Sequence, residues 1–75
     1  MVEIFKTEID NEQLAERVLR AMTYHFPSYE VNFDLWDVDN IMRVESKGSY
    51  LDSSRVVRLM KILGFKAVII EDFSF

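Results

Sequence analysis

The chain contains no cysteine. That single absence removes disulfides, thiolate zinc sites, iron–sulfur clusters and thiol nucleophiles together. Helix and strand breakers are scarce as well, with Pro27, Gly48 and Gly64 the only proline and glycines in 75 residues. There is no linker, no low-complexity stretch and no run near the roughly 20 apolar residues that cross a bilayer. The start, Met1-Val2-Glu3-Ile4-Phe5-Lys6, carries charge inside its apolar stretch and so does not resemble a signal peptide. The expected location is the cytoplasm. Positive charge is also in deficit: 9 Lys and Arg face 13 Asp and Glu, for a net charge of −4. Bulk attraction to phosphate is therefore weak, and neither nucleic acid nor a membrane surface is an expected partner. What remains is apolar matter, 49% hydrophobic and 13% aromatic, too much for a disordered tail. Residues 1–75 make one domain, and without covalent staples its core must pack efficiently.

Periodicity predicts six elements. Val2 to Ile9 is a strand, with Phe5, Thr7 and Ile9 on one parity and Val2 and Ile4 on the other. Asp10 to Phe26 is a helix, capped by Asp10 with Gln13 completing a capping box, and ended by Pro27. Its apolar stripe runs through Leu14, Val18, Ala21, Met22 and His25. Tyr29 to Trp36 alternates cleanly as a strand, with Tyr29, Val31, Phe33 and Leu35 on one side. The turn residues Asp37-Val38-Asp39-Asn40 join it to a second hairpin strand, Ile41 to Ser46. Leu51 to Leu63 is a second helix, capped by Ser49 or Asp52, with Val56, Leu59, Met60 and Leu63 inward. Gly64 supplies a left-handed stop, with Phe65 folding back on the last turn. Lys66 to Asp72 is the last strand, and its run Ala67-Val68-Ile69-Ile70 implies burial on both faces or one sticky face.

Strand, helix, strand, strand, helix, strand is the ferredoxin-like βαββαβ sandwich of the α+β class. Right-handed crossovers put both helices on one face of a four-stranded antiparallel sheet. The first and third strands take the centre, and the other sheet face stays open.

The βαββαβ order, the length, the helix end Leu63-Gly64-Phe65-Lys66-Ala67 and the strand Val31-Asn32-Phe33-Asp34-Leu35 resemble heavy-metal-associated domains. Those are copper chaperones and the N-terminal modules of metal-pumping ATPases. The resemblance spans Ile4 to Glu71 and rests mostly on structural positions. The family signature, M-x-C-x-x-C between first strand and first helix, matches Ile9-Asp10-Asn11-Glu12-Gln13-Leu14 here. Ile9 stands in place of the methionine, and Asn11 and Leu14 in place of the two cysteines. Soft Cu(I) needs thiolate or thioether ligands, which this loop lacks. The resemblance thus implies the fold and a degenerate, metal-free site, with no cofactor.

Each candidate chemistry has a plainer explanation. Asp10, Asn11 and Glu12 could hold a harder cation, but acids and amides there also suit a helix N-terminus. Asp34, Asp37 and Asp39 crowd the hairpin, yet Ile41 and Met42 occupy positions where a calcium loop needs an oxygen ligand and glycine. His25 is the only imidazole, and no Ser-His-Asp pattern frames it, so no enzyme is expected. Met22, Met42 and Met60 fall on core stripes. Arg55, Arg58 and Lys61 form the wet face of the second helix. RNA-recognition domains share this plan, but Ile41-Met42-Arg43-Val44-Glu45 offers no aromatic for stacking.

The open face is the most suggestive feature. Ile4, Trp36, Val68 and Ile70 lie on or beside it, and Phe73 and Phe75 follow. Either that tail folds back over the sheet, or a protein partner or a second copy docks there with the aromatics as anchors. The expected function is a small non-enzymatic interaction module. The alternative is a metal-handling domain using the Asp10-Asn11-Glu12 loop.

Overall fold

The computed structural model describes residues 1–70. Its elements run β1 (Val2–Thr7), α1 (Glu12–His25), β2 (Glu30–Asp34), β3 (Ile41–Glu45), α2 (Ser53–Ile62) and β4 (Ala67–Ile69). The four strands form one antiparallel sheet in the order β2-β3-β1-β4, the ferredoxin-like arrangement. β1 and β3 are central because they carry the residues that can vanish from water. Phe5, Met42 and Val44 are fully buried. They meet Ile9, Val18, Met22, Val56 and Met60 in one core between sheet and helices.

α1 starts two residues later than the sequence suggests. Asn11, not Asp10, is the N-cap: its backbone is extended and its Oδ1 accepts from the Leu14 N–H at 3.0 Å. Asp10 is occupied otherwise, accepting from Asn11 Nδ2 at 3.0 Å. Gln13 then falls one position too early for a capping box. The buried stripe runs through Ala15, Val18 and Met22, with Phe26 at the C-cap. His25 is therefore exposed rather than part of the stripe. α2 is capped by Asp52, whose Oδ1 accepts from Arg55 N–H at 3.1 Å. It ends as expected. Gly64 has φ +98° and its N–H donates to Lys61 O, while Phe65 N–H donates to Met60 O at 2.9 Å. That bond pair is the Schellman arrangement.

The hairpin is longer than its turn residues imply. Asp34 Oδ1 accepts from Trp36 N–H at 3.1 Å and Asp37 Oδ1 from Asp39 N–H at 2.8 Å. These side-chain turns withdraw Leu35 and Trp36 from the ladder. The tip is fastened to β1 by Thr7, whose hydroxyl donates to Asn40 O at 2.7 Å and accepts from Ile9 N–H at 3.0 Å. Of the predicted Lys66–Asp72, Glu71 and Asp72 lie outside the described residues; among the described ones β4 covers Ala67–Ile69 and lies at the sheet edge. Of its apolar run only Ala67 is buried, while Val68 and Ile69 stay 47% and 37% exposed. An edge strand has a neighbour on one side only, so its apolar residues lack the second flank that would cover them.

Candidate functional site

Strand register decides what the open face carries, because side chains alternate and paired residues share a side. Phe5 pairs with Met42 and Ile69, and Thr7 with Ala67, so these point toward the helices. The opposite parity faces away. Across it, Val2 aligns with Glu45, Ile4 with Arg43, and Lys6 with Ile41 and Val68. Ile70 N–H donates to Ile4 O at 2.9 Å, which sets Ile70 beside Ile4. On the far side, Glu30, Asn32 and Asp34 pair with Glu45, Arg43 and Ile41.

The face is thus divided. Toward β4, Ile4, Val68 and Ile70 make a contiguous apolar patch, extended by Val2 and, diagonally, Ile41. Toward β2, carboxylates prevail. Lys6 marks the boundary and its Nζ lies 3.4 Å from Asp39 Oδ1. Val2 and Ile41 were not among the residues assigned to this surface from sequence. Their parity, opposite to Phe5 and to Met42 and Val44, is the signal that finds them.

Trp36 lies elsewhere. It is 98% exposed in the β2–β3 connection. There it lines a shallow cavity with Leu35, Asp10, Asn11 and Glu12, at the start of α1. Phe73 and Phe75 lie outside the described residues. The structure therefore brings Ile4, Val68 and Ile70 together and sets Trp36 beside the other candidate loop.

In that loop, Asn11 Oδ1 is engaged as the helix cap and Asp10 Oδ1 holds the Asn11 amide. Among the described residues no three His, Asp or Glu side chains gather as a metal-holding group. His25 stands at the end of α1 with its ring edge-on to Tyr24, 5.1 Å between centroids. Asp52 caps α2, and its N–H donates to Tyr29 Oη at 3.0 Å. No helix among the described residues is long and apolar enough to cross a membrane.

A second concave feature opens beside β4. It is lined by Val57, Lys61, Phe65, Lys66, Ala67 and Glu8, between α2 and β4.

Comparison of the chain with protein-family models, with curated proteins and with solved structures finds no match.

Proposed function

We propose that this protein is a non-enzymatic interaction module that docks a protein partner or a second copy on the open face of its sheet. The observation that carries this reading is the contiguous patch of Ile4, Val68 and Ile70, which neither helix covers. Apolar surface gathered in one place gains free energy by leaving water, at about 25 cal/mol per Å². The mixed half of the face, with Lys6, Arg43, Glu30 and Glu45, supplies a charged rim that would orient whatever docks. The β-strand plan and the α2–β4 junction support descent from a heavy-metal-associated type of domain. Asn11 and Leu14, in place of thiols, support a role without soft metal.

The test is a concentration series followed by nuclear magnetic resonance and light scattering, on the natural chain and on Ile4→Lys. The reading expects amide shifts concentrated in β1 and β4 of the natural chain, or in those strands when a candidate partner is titrated in. Ile4→Lys should suppress them. Shifts that map to α1, α2 or the Trp36 loop and ignore Ile4→Lys would refute it.

A further inference from the structure

We propose that His25, Arg55 and Arg58 bind the phosphate group of a small phosphate monoester. The site lies on the helical side of the molecule, so it stands independently of docking on the open sheet face.

Three nitrogen-bearing side chains converge where the two helices meet. His25 is the last residue of α1, and Arg55 and Arg58 are three apart on α2, which sets them on one side of it. With Phe26, Leu59 and Ile62 they line one concavity of about 180 Å³. None of these residues is acidic, in a chain where Asp and Glu outnumber Lys and Arg by 13 to 9. The ion pairs among the described residues are Lys6–Asp39 and Arg20–Glu16, so no carboxylate there neutralises Arg55 or Arg58.

Arg55 is also held in place. Its Cζ lies over the Phe26 ring, 5.4 Å from the centroid. Phe26 is buried and stacked on Tyr29, with 5.1 Å between centroids and 7° between planes. Tyr29 Oη accepts from Asp52 N–H, and Asp52 Oδ1 accepts from Arg55 N–H. A closed circuit of contacts thus joins the end of α1 to the first turn of α2 and carries the guanidinium with it. A guanidinium over a ring keeps its N–H edge free to donate. The carbonyls of Met22 and Phe26, which would oppose an anion at the end of α1, already accept from Phe26 N–H and Tyr29 N–H.

Donor geometry selects the ligand. Guanidinium forks match carboxylate and phosphate alike. Two forks and an imidazole N–H arriving from two helices suit the three oxygens and near-double charge of a phosphate better than the single edge of a carboxylate. The concavity is smaller than the roughly 300–1,000 Å³ of sites that enclose a drug-sized ligand, so it takes a headgroup and leaves the rest outside. There Ile62, 74% exposed and one turn beyond Arg58, offers a surface for carbon. The ligand class is therefore a phosphate monoester with a compact apolar group.

Phenyl phosphate is the probe, titrated into the full chain and followed by nuclear magnetic resonance. His25 is the one histidine, so its ring protons report on the site without ambiguity. They and the α2 amides should shift saturably, with a Kd of about 1 mM or tighter. Arg55→Gln and Arg58→Gln alter exposed side chains, so the fold should survive, and each should weaken binding about tenfold. Inorganic phosphate should bind more weakly for want of the apolar group, and benzoate for want of the second charge. Shifts that never saturate, or that chloride reproduces at equal ionic strength, overturn the proposal. So do an affinity that either arginine exchange leaves unmoved, binding of benzoate or inorganic phosphate as tight as that of phenyl phosphate, and shifts that map to β1 and β4 instead.

Discussion

Thr7 shows how much one side chain settles in so small a sheet. It is buried, its hydroxyl donates to Asn40 O, and it accepts from Ile9 N–H. One residue thereby ties the end of β1 to the hairpin tip and holds Ile9 over the core. Thr7→Val keeps the shape but leaves the Ile9 donor and the Asn40 acceptor without that partner. The expected loss is about 1–3 kcal/mol, read as a lower urea midpoint with an unchanged slope. Trp36→Ala should behave in the opposite way. At 98% exposure the indole buries almost nothing, so stability should move by no more than about 0.5 kcal/mol in the same titration. A larger loss would mean that Trp36 packs somewhere in solution. Residue-scale features were the hardest to anticipate from sequence. His25 matched the helical period and yet is exposed, because the buried stripe runs through Ala15, Val18 and Met22 and Phe26, at the C-cap, is the residue buried at that end. Trp36 continued the alternation of β2 and yet left the sheet, because Asp34 and Asp37 offered the backbone a local alternative.

At the scale of elements, legibility was far better. All six elements and their types were readable, since each rests on local period, a cap or a turn residue, and the crossover rule then put β1 and β3 at the centre. Gly64 is the firmest example. Its φ of +98° is a conformation that a side chain opposes, and nothing lies within 4 Å of an added Cβ. Gly64→Ala should therefore cost about 1–2 kcal/mol through backbone strain alone, measurable by thermal unfolding. The candidate surface was only half legible. Parity placed Ile4, Val68 and Ile70 together, but which strand neighbours which is a non-local fact, and it brings Val2 and Ile41 into the patch. The same register sets Glu30 directly opposite Glu45, a like-charge pair at the β2 edge. Glu30→Lys replaces repulsion by attraction and should raise stability by about 0.5–1 kcal/mol, an effect that added salt should shrink.

For the whole molecule the decisive quantity is the thin margin over unfolding. A chain of 75 residues at about 0.05–0.15 kcal/mol per residue holds roughly 4–11 kcal/mol in reserve. No disulfide adds to it. Three of the eight largest fully buried side chains are methionines, Met22, Met42 and Met60, so thioethers fill much of the space that keeps the sheet and helices together. Packing and metal binding make opposite demands on such residues. A ligand must reach an ion that arrives from solvent, whereas these sulfurs are sealed inside a core contributed by both helices and two central strands. Met42→Leu conserves volume and should cost less than about 1.5 kcal/mol. Met42→Ala removes the same sulfur and leaves a void, and should cost about 2–5 kcal/mol, up to half or more of the reserve. Urea titrations of the two variants, each with and without Cu(I), separate the roles. If Met42 serves packing, loss depends on volume and the ion changes neither curve. If the ion stabilised the natural chain but not Met42→Leu, the sulfur itself would be the functional group, and the metal-free reading of this fold would give way.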